Sequence, residues 1–452
     1  METLTALGYR ILGGTHFWIP RLLSSIWWLV GAIFLYLIAR RLAGPDPEAA
    51  VVSTAFYLFL PFGVAASRSF QPESLMIASL LASLYLIVRY YQQPSTLHLL
   101  AAAIVSAFAI FVKGITLFPI LGAFLVAGVS DCESRRVIFR KETLLFGIAL
   151  LPTISFYLYA IFVSHSLRSV ARGNILPQLL AEPRFWRGWV AEIGTVVGYT
   201  PVAAALVGTL LFRIGIPRGV VLGLWGGYGL FGMVFTYTVH THDYWNVMIV
   251  PIVALAIGPP VALVIRAVRR RNVLWVWRAA LAAIVFGALL FLAAAARPSP
   301  LPRSLEDKVA VAHRIGTLVN HSTRTIFLSP DYGLPLEYHG DLSGVPWPIA
   351  SDLEWEGLAG VRRLSIQERL KKLVQKDPAD YFIILSYEEY DKQRDLKAFL
   401  ERRFPVVARS EDYLIFRLEG SAAQGGPGPM TARAKGDEKS ERRGPGQEGT
   451  AP

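Results

Sequence analysis

Long runs of Leu, Ile, Val, Ala and Phe fill most of the first three hundred residues, separated by short polar or basic breaks. Most approach the ~20 residues that a helix needs to cross a ~30 Å hydrocarbon core. The pattern predicts spans at 21–40, 49–67, 73–91, 97–112, 115–129, 143–165, 188–211, 219–238, 245–266 and 274–296. The fourth and fifth are short and meet at Lys113-Gly114, which reads as the tip of a helical hairpin. A single long helix would instead carry that lysine inside the lipid, at high cost.

After residue 300 the period changes. "SLEDKVAVAHRIGTLV" is an amphipathic helix with Ser304 as its cap, and "TRTIFLS" and "DYFIILS" are short strands of buried type. "IQERLKKLVQK" and "YDKQRDLKAFLERRF" are helices, and "VVARSEDYLIFRL" is a closing hairpin. Strands alternating with helices predict a small α/β domain. The expected fold is an all-α polytopic membrane bundle of about ten spans over 21–297. An amphipathic segment precedes it at 1–20, the α/β domain follows at 300–418, and a Gly- and Pro-rich charged stretch at 421–452 is read as a disordered tail.

Composition agrees. The chain is 53% hydrophobic and 17% charged, where a soluble domain has about a quarter charged residues. The net charge of +12 is mostly arginine at span ends. Ending the first span in the cytoplasm puts Arg40, Arg41, Arg89, the basic residues of 135–141, Arg213, Arg218 and the arginines of 266–278 inside, twice the number left outside. The positive-inside rule then sets both ends of the bundle, and the α/β domain, outside the cytoplasm of a cell membrane. An even count of spans requires the same. The charge therefore implies no nucleic-acid partner. Cys132 is the lone cysteine, which excludes an internal disulfide and a cysteine-built metal site.

Polar groups beside spans gather in four places on the outer side. In "ASRSFQPESLM" Arg68 and Glu73 flank a short turn. An arginine can clamp a phosphate and a carboxylate can act as a base, but a surface ion pair explains the spacing equally well. Lys113 offers a cation at the hairpin tip, suited to a lipid phosphate or simply reaching for the interface. "VHTHDYWNVMIVP" places His240, His242, Asp243, Tyr244 and Asn246 at the start of a late span. His-x-His alone is a weak metal signal, and Tyr244 and Trp245 also suit interface anchoring. Residues 166–187 hold four arginines among aromatics, either an amphipathic surface segment or a solvated linker. No GxxxxGK[ST], HExxH or GxSxG is present, and neither GxGxxG spacing, at 227–232 inside an apolar run or at 444–449 in the charged tail, follows a predicted strand as a dinucleotide site needs, so an activated substrate would come from the lipid phase.

Four stretches in order resemble a known family: "RLLSSIWWLVGAIFLYLIARRLAG", "ASRSFQPESLMIASLLASLYLIVRYY", "AAAIVSAFAIFVKGITLFPILGAFLV" and "HDYWNVMIVPIVALAIG". Over about residues 7–297 they look like the GT-C superfamily of membrane glycosyltransferases, in the branch with protein mannosyltransferases, aminoarabinose transferases and RgtA/B/C/D-like enzymes. The resemblance implies inverting transfer of a sugar from a polyprenyl-phosphate donor to a lipid, glycan or protein acceptor outside the cytoplasm. It implies substrate binding by Arg68, Lys113, His242, Asp243, Tyr244 and Asn246. It implies no certain cofactor and leaves room for a divalent cation. In that family the catalytic base belongs to an acidic pair in an outer loop ahead of the first stretch matched here. Little transferase activity is therefore expected of these residues alone, with Glu73 the leading acid for a base. Two other classes remain open: a non-catalytic binder of lipid-linked glycans, and a transporter or flippase. Polar residues at one face rather than mid-membrane argue against the last.

Overall fold

A computed structural model describes residues 1–44, 47–130, 141–270, 303–329 and 331–418. Its contacts divide the chain into a helical unit up to residue 301 and a second unit holding most of the remainder. The predicted span 274–296, the tail at 421–452 and Cys132 lie outside the described residues.

The helical unit opens with α1 (Glu2–Leu12), whose exposed Leu4, Leu7 and Ile11 form an apolar stripe, and then α2 (Trp18–Leu42). The second predicted span is broken. α3 (Glu48–Phe59) and α4 (Pro61–Arg68) meet at 60° because Pro61 forces Leu60 into an extended backbone, ψ 124°. α5 (Glu73–Gln92) and α6 (Thr96–Val112) follow, the latter capped by Ser95, whose Oγ accepts from His98 N at 3.2 Å. Lys113 is extended, Gly114–Thr116 form one 3₁₀ turn, and α7 (Leu117–Ser130) runs back. The two short helices separate, α6 packing on α5 and α8 (Lys141–Leu158), and α7 on α12 (Ile216–Val234).

α9 (Arg168–Asn174) and a 3₁₀ turn at Pro177–Ala181 lead into α10 (Pro183–Val197) and α11 (Tyr199–Leu211). The expected straight span 188–211 is in fact a 90° corner. Gly198 makes it with φ +81°, a backbone that residues with a Cβ rarely adopt. The solvated-linker alternative for 166–187 also fails, since Leu176, Leu179 and Phe185 are buried. A short α13 (Thr236–Val239), a 3₁₀ run at Asp243–Met248 and α14 (Ile249–Arg270) follow.

Among the described residues four helices are long and apolar enough to cross a membrane: Trp18–Leu42, Glu73–Gln92, Lys141–Val163 and Asp243–Ala267. The two bent pairs raise this to as many as six, and Thr96–Val112 and Gly114–Ser130 are shorter apolar helices. Outside that set, α12 occupies the place of the predicted span 219–238. Large apolar side chains such as Leu29, Ile33, Ile104 and Phe162 stay exposed on these helices, as lipid-facing residues must. Small residues set the internal spacing. On α12 Gly219, Gly223 and Gly227 face α7, and a Cβ on Gly223 would lie 2.2 Å from Gly122 O.

The second unit begins with α15 (Arg303–Leu318); the side chain of Ser304, its predicted cap, is not among those described. Then come β1 (Thr325–Leu328), α16 (Leu334–Gly340), β2 (Gly344–Pro346), α17 (Ala350–Leu358) and α18 (Ile366–Lys376). β3 (Tyr381–Ile384), α19 (Tyr387–Lys392), α20 (Arg394–Arg403), β4 (Val406–Arg409) and β5 (Leu414–Arg417) finish it. The sheet order is β2-β1-β3-β5-β4, with β1 parallel to β2 and β3, and β5 antiparallel to β3 and β4. Every residue of β1 is buried, Ile326, Phe327 and Leu328 as an apolar run predicts and Thr325 with its hydroxyl donating to Ser343 O at 2.9 Å. α18 carries a full capping box between Ser365 and Glu368. β2 escaped the sequence reading because three residues ending in proline carry no period.

Candidate functional site

The start of α5, the end of α6 and the 3₁₀ run ahead of α14 come together at one end of the bundle. Glu73 opens α5 and is 4% exposed. Its Oε1 lies 2.5 Å from Lys113 Nζ, at the point where the extended Lys113 leaves α6. The ammonium also sits 4.5 Å from the Trp245 ring centroid and 5.7 Å from that of Tyr244. A carboxylate on one side and aromatic faces on the other therefore fix the cation. Burial makes each partner depend on the other. Glu73 Oε2 is buried without a hydrogen-bond partner among the described residues.

Gly114 allows this closure. A Cβ there would lie 3.2 Å from the Tyr157 ring, whose hydroxyl donates to Ile110 O at 3.1 Å across the last turn of α6. Trp245 is held from behind by Phe231 and Phe235, with centroids at 6.4 and 5.9 Å.

Asn246 is fully buried and serves as a brace. Its Oδ1 accepts from Tyr228 OH at 2.5 Å and Trp189 Nε1 at 3.2 Å, while its Nδ2 donates to Val239 O at 2.8 Å and His242 O at 3.2 Å. The amide thus ties α10, α12 and α13 to the turn that presents Tyr244 and Trp245. Asp243 Oδ1 accepts from Tyr244 N at 2.6 Å, stiffening the same turn. His242 lies against Tyr244, centroids 5.4 Å apart, with Nδ1 2.7 Å from Thr241 Oγ1. Burial holds its imidazole below the ordinary histidine range; the Asp243 carboxylate opposes this and His240 adds to it.

Of the residues singled out in the sequence, the structure brings together Glu73, Lys113 and Tyr244, with His242 and Asp243 on the adjoining turn. Arg68 ends α4, exposed, and pairs with no carboxylate among the described residues, so the ion pair conceivable from its spacing to Glu73 is absent. Trp245 was read only as an interface anchor, although it makes the closer aromatic contact to Lys113. No group of three or more His, Cys, Asp or Glu gathers among the described residues. Beside the first half of α5 runs an apolar groove of about 170 Å³, lined by Trp27, Val30 and Phe34 of α2, Leu75, Ala78, Ser79 and Ala82 of α5, and Val105 and Phe108 of α6.

A family model described as dolichyl-phosphate-mannose-protein mannosyltransferase matches residues 2–159, a stretch that includes Arg68, Glu73 and Lys113. No curated protein sequence matches the chain. The crystal structure of ArnT from Cupriavidus metallidurans bound to undecaprenyl phosphate is similar at TM-score 0.53 and 15% identity, covering 94% of this chain and 88% of that one. The apo form of the same protein gives TM-score 0.52 at 14% identity, covering 92% and 86%. The chain has the GT-C architecture of the membrane glycosyltransferases, the superfamily its sequence resembles.

Proposed function

We propose that this chain is the membrane body of a glycosyltransferase that takes its sugar from a polyprenyl-phosphate donor and delivers it to a lipid, glycan or protein acceptor outside the cytoplasm. The observation that carries this reading is Lys113, whose ammonium is set between Glu73 and Trp245 with its side chain 17% exposed. A polyprenyl phosphate leaving group needs a fixed cation more than a protonating acid, because its charge grows as the glycosidic bond breaks. Exposed Arg68 adds a guanidinium on the same side. The apolar groove beside α5 suits the first isoprene units, since its one polar side chain, Ser79, already donates to Leu75 O at 2.8 Å. The family model and the undecaprenyl phosphate bound to ArnT support the same class of donor.

Glu73 has two readings. Its ion pair makes it the positioning residue for Lys113, while Oε2, without a partner among the described residues, keeps its acceptor capacity for an acceptor hydroxyl. Binding of undecaprenyl phosphate to the purified chain separates them. Lys113→Ala weakens binding roughly 10- to 100-fold if the contact is a charge-assisted hydrogen bond, and unchanged binding sinks the proposal. Glu73→Gln weakens binding in the positioning role, but stops turnover with binding intact in the base role. Binding without any turnover by the wild type supports the non-catalytic reading.

The basic asymmetry of the span ends supports an outer α/β domain. A cysteine introduced at Ser343 then reacts with an impermeant thiol reagent added to intact cells, and Cys132 does not.

A further inference from the structure

Toward the other end of α5, about 18 to 24 Å from Glu73 by helical rise, two guanidinium groups converge on one tyrosine. Arg41, in the last turn of α2, lies over the Tyr85 ring with Cζ 5.3 Å from the centroid. Arg89, one turn after Tyr85, brings Nη1 to 3.5 Å from the same residue's hydroxyl. Neither arginine has a carboxylate partner among the described residues; every acceptor they meet there is neutral. Arg41 Nη1 donates to Gln92 Oε1 at 2.8 Å, and Gln92 Nε2 donates back to Arg41 O at 3.3 Å. Arg89 Nη2 donates to Gln93 Oε1 at 3.3 Å and lies 3.2 Å from His98 Nε2. His98 Nδ1 is 2.9 Å from Gln93 O, so a proton on Nδ1 leaves the Nε2 lone pair to Arg89.

A basic residue alone at a span end needs no ligand, because it reaches into water. Here two cations from different helices are held against one ring by neutral amides and an imidazole, and they repel each other unless an anion lies between them. Donors also remain. Among the described residues Arg89 Nε is buried without an acceptor. Tyr85 OH, accepting from Arg89, keeps its own proton to give.

We propose that Arg41, Arg89 and Tyr85 form a site for the phosphate of an anionic membrane lipid, in the leaflet opposite Lys113. Two planar forks and a phenol match the oxygens of a phosphodiester, and membrane depth selects a lipid headgroup over a dissolved anion. This site is independent of the donor site and of turnover.

The test uses the full chain in neutral detergent, titrated with phosphatidylglycerol, phosphatidylcholine or inorganic phosphate while the melting temperature is read. Phosphatidylglycerol is expected to raise it and phosphatidylcholine to leave it unchanged. The Arg41→Gln/Arg89→Gln variant should need at least tenfold more phosphatidylglycerol for the same rise. Arg213→Gln, which removes an exposed arginine at the same end, should behave as wild type. If the double glutamine variant does not fold, Arg41→Lys/Arg89→Lys keeps the charges, loses the forks and should show a partial loss. Equal responses in wild type and variants, or a rise from inorganic phosphate that phosphatidylglycerol does not exceed, overturns the proposal.

Discussion

Lys113 Nζ lies 2.5 Å from Glu73 Oε1 and 4.5 Å from the centre of the Trp245 ring, so three segments far apart in the chain meet on one charge. Removing one member of a buried ion pair leaves the other without compensation, at about 3–5 kcal/mol. Glu73→Ala should therefore lower the melting temperature in detergent strongly. Lys113→Met paired with Glu73→Leu should recover much of the loss, because both charges go together. Additive single effects in that cycle would show that the two side chains do not interact.

Asn246 uses its amide as acceptor toward Tyr228 and Trp189 and as donor toward two carbonyls. Asn246→Asp keeps the acceptor but turns an oxygen on Val239 O and His242 O. It should destabilise more than Asn246→Ala, itself costing about 2–4 kcal/mol through the partners left unmade. Thermal melts of the two variants rank them, and an aspartate at least as stable as the alanine contradicts this bracing geometry.

His242 titrates below the ordinary histidine value because burial disfavours its charged form, with Asp243 pulling the other way. Asp243→Asn removes the raising influence, so the His242 pKa should fall further, as read by NMR of labelled histidine. With the folded value below the unfolded one, the neutral ring stabilises the fold above the unfolded pKa of about 6.5. That contribution is lost as pH falls through the folded value. Stability should accordingly drop from pH 7 toward 5, and drop less in His242→Gln.

Gly223 and Gly122 bring the backbones of α12 and α7 together, and a Cβ on Gly223 would meet Gly122 O at 2.2 Å. Gly223→Ala must part the helices and should cost about 1–3 kcal/mol. Gly226→Ala, on the same helix with nothing within 4 Å of the added carbon, should be neutral or slightly stabilising by helix propensity. Melting the two variants side by side makes the comparison.

Apolar run length alone determined where helices run through the membrane unit, because lipid tolerates little else at that depth. It marked 73–91 against the observed Glu73–Gln92 and 97–112 against Thr96–Val112. Period and capping likewise marked Ile366–Lys376, and short buried-type runs marked β1 and β3. The bend at Pro61 and the corner at Gly198 were written in the sequence, yet run length averages over single residues and passed across both. Lys113 and Glu73 each stood out as polar groups beside spans, but nothing local joins residues forty positions apart. Their pairing, Trp245 rather than Tyr244 as the closer ring, and Asn246 turned inward as a brace depend on how helices pack. Sequence period sets which face of a helix is apolar; the rotation and height of one helix against another follow from side-chain fit across the whole bundle, and those decided the site.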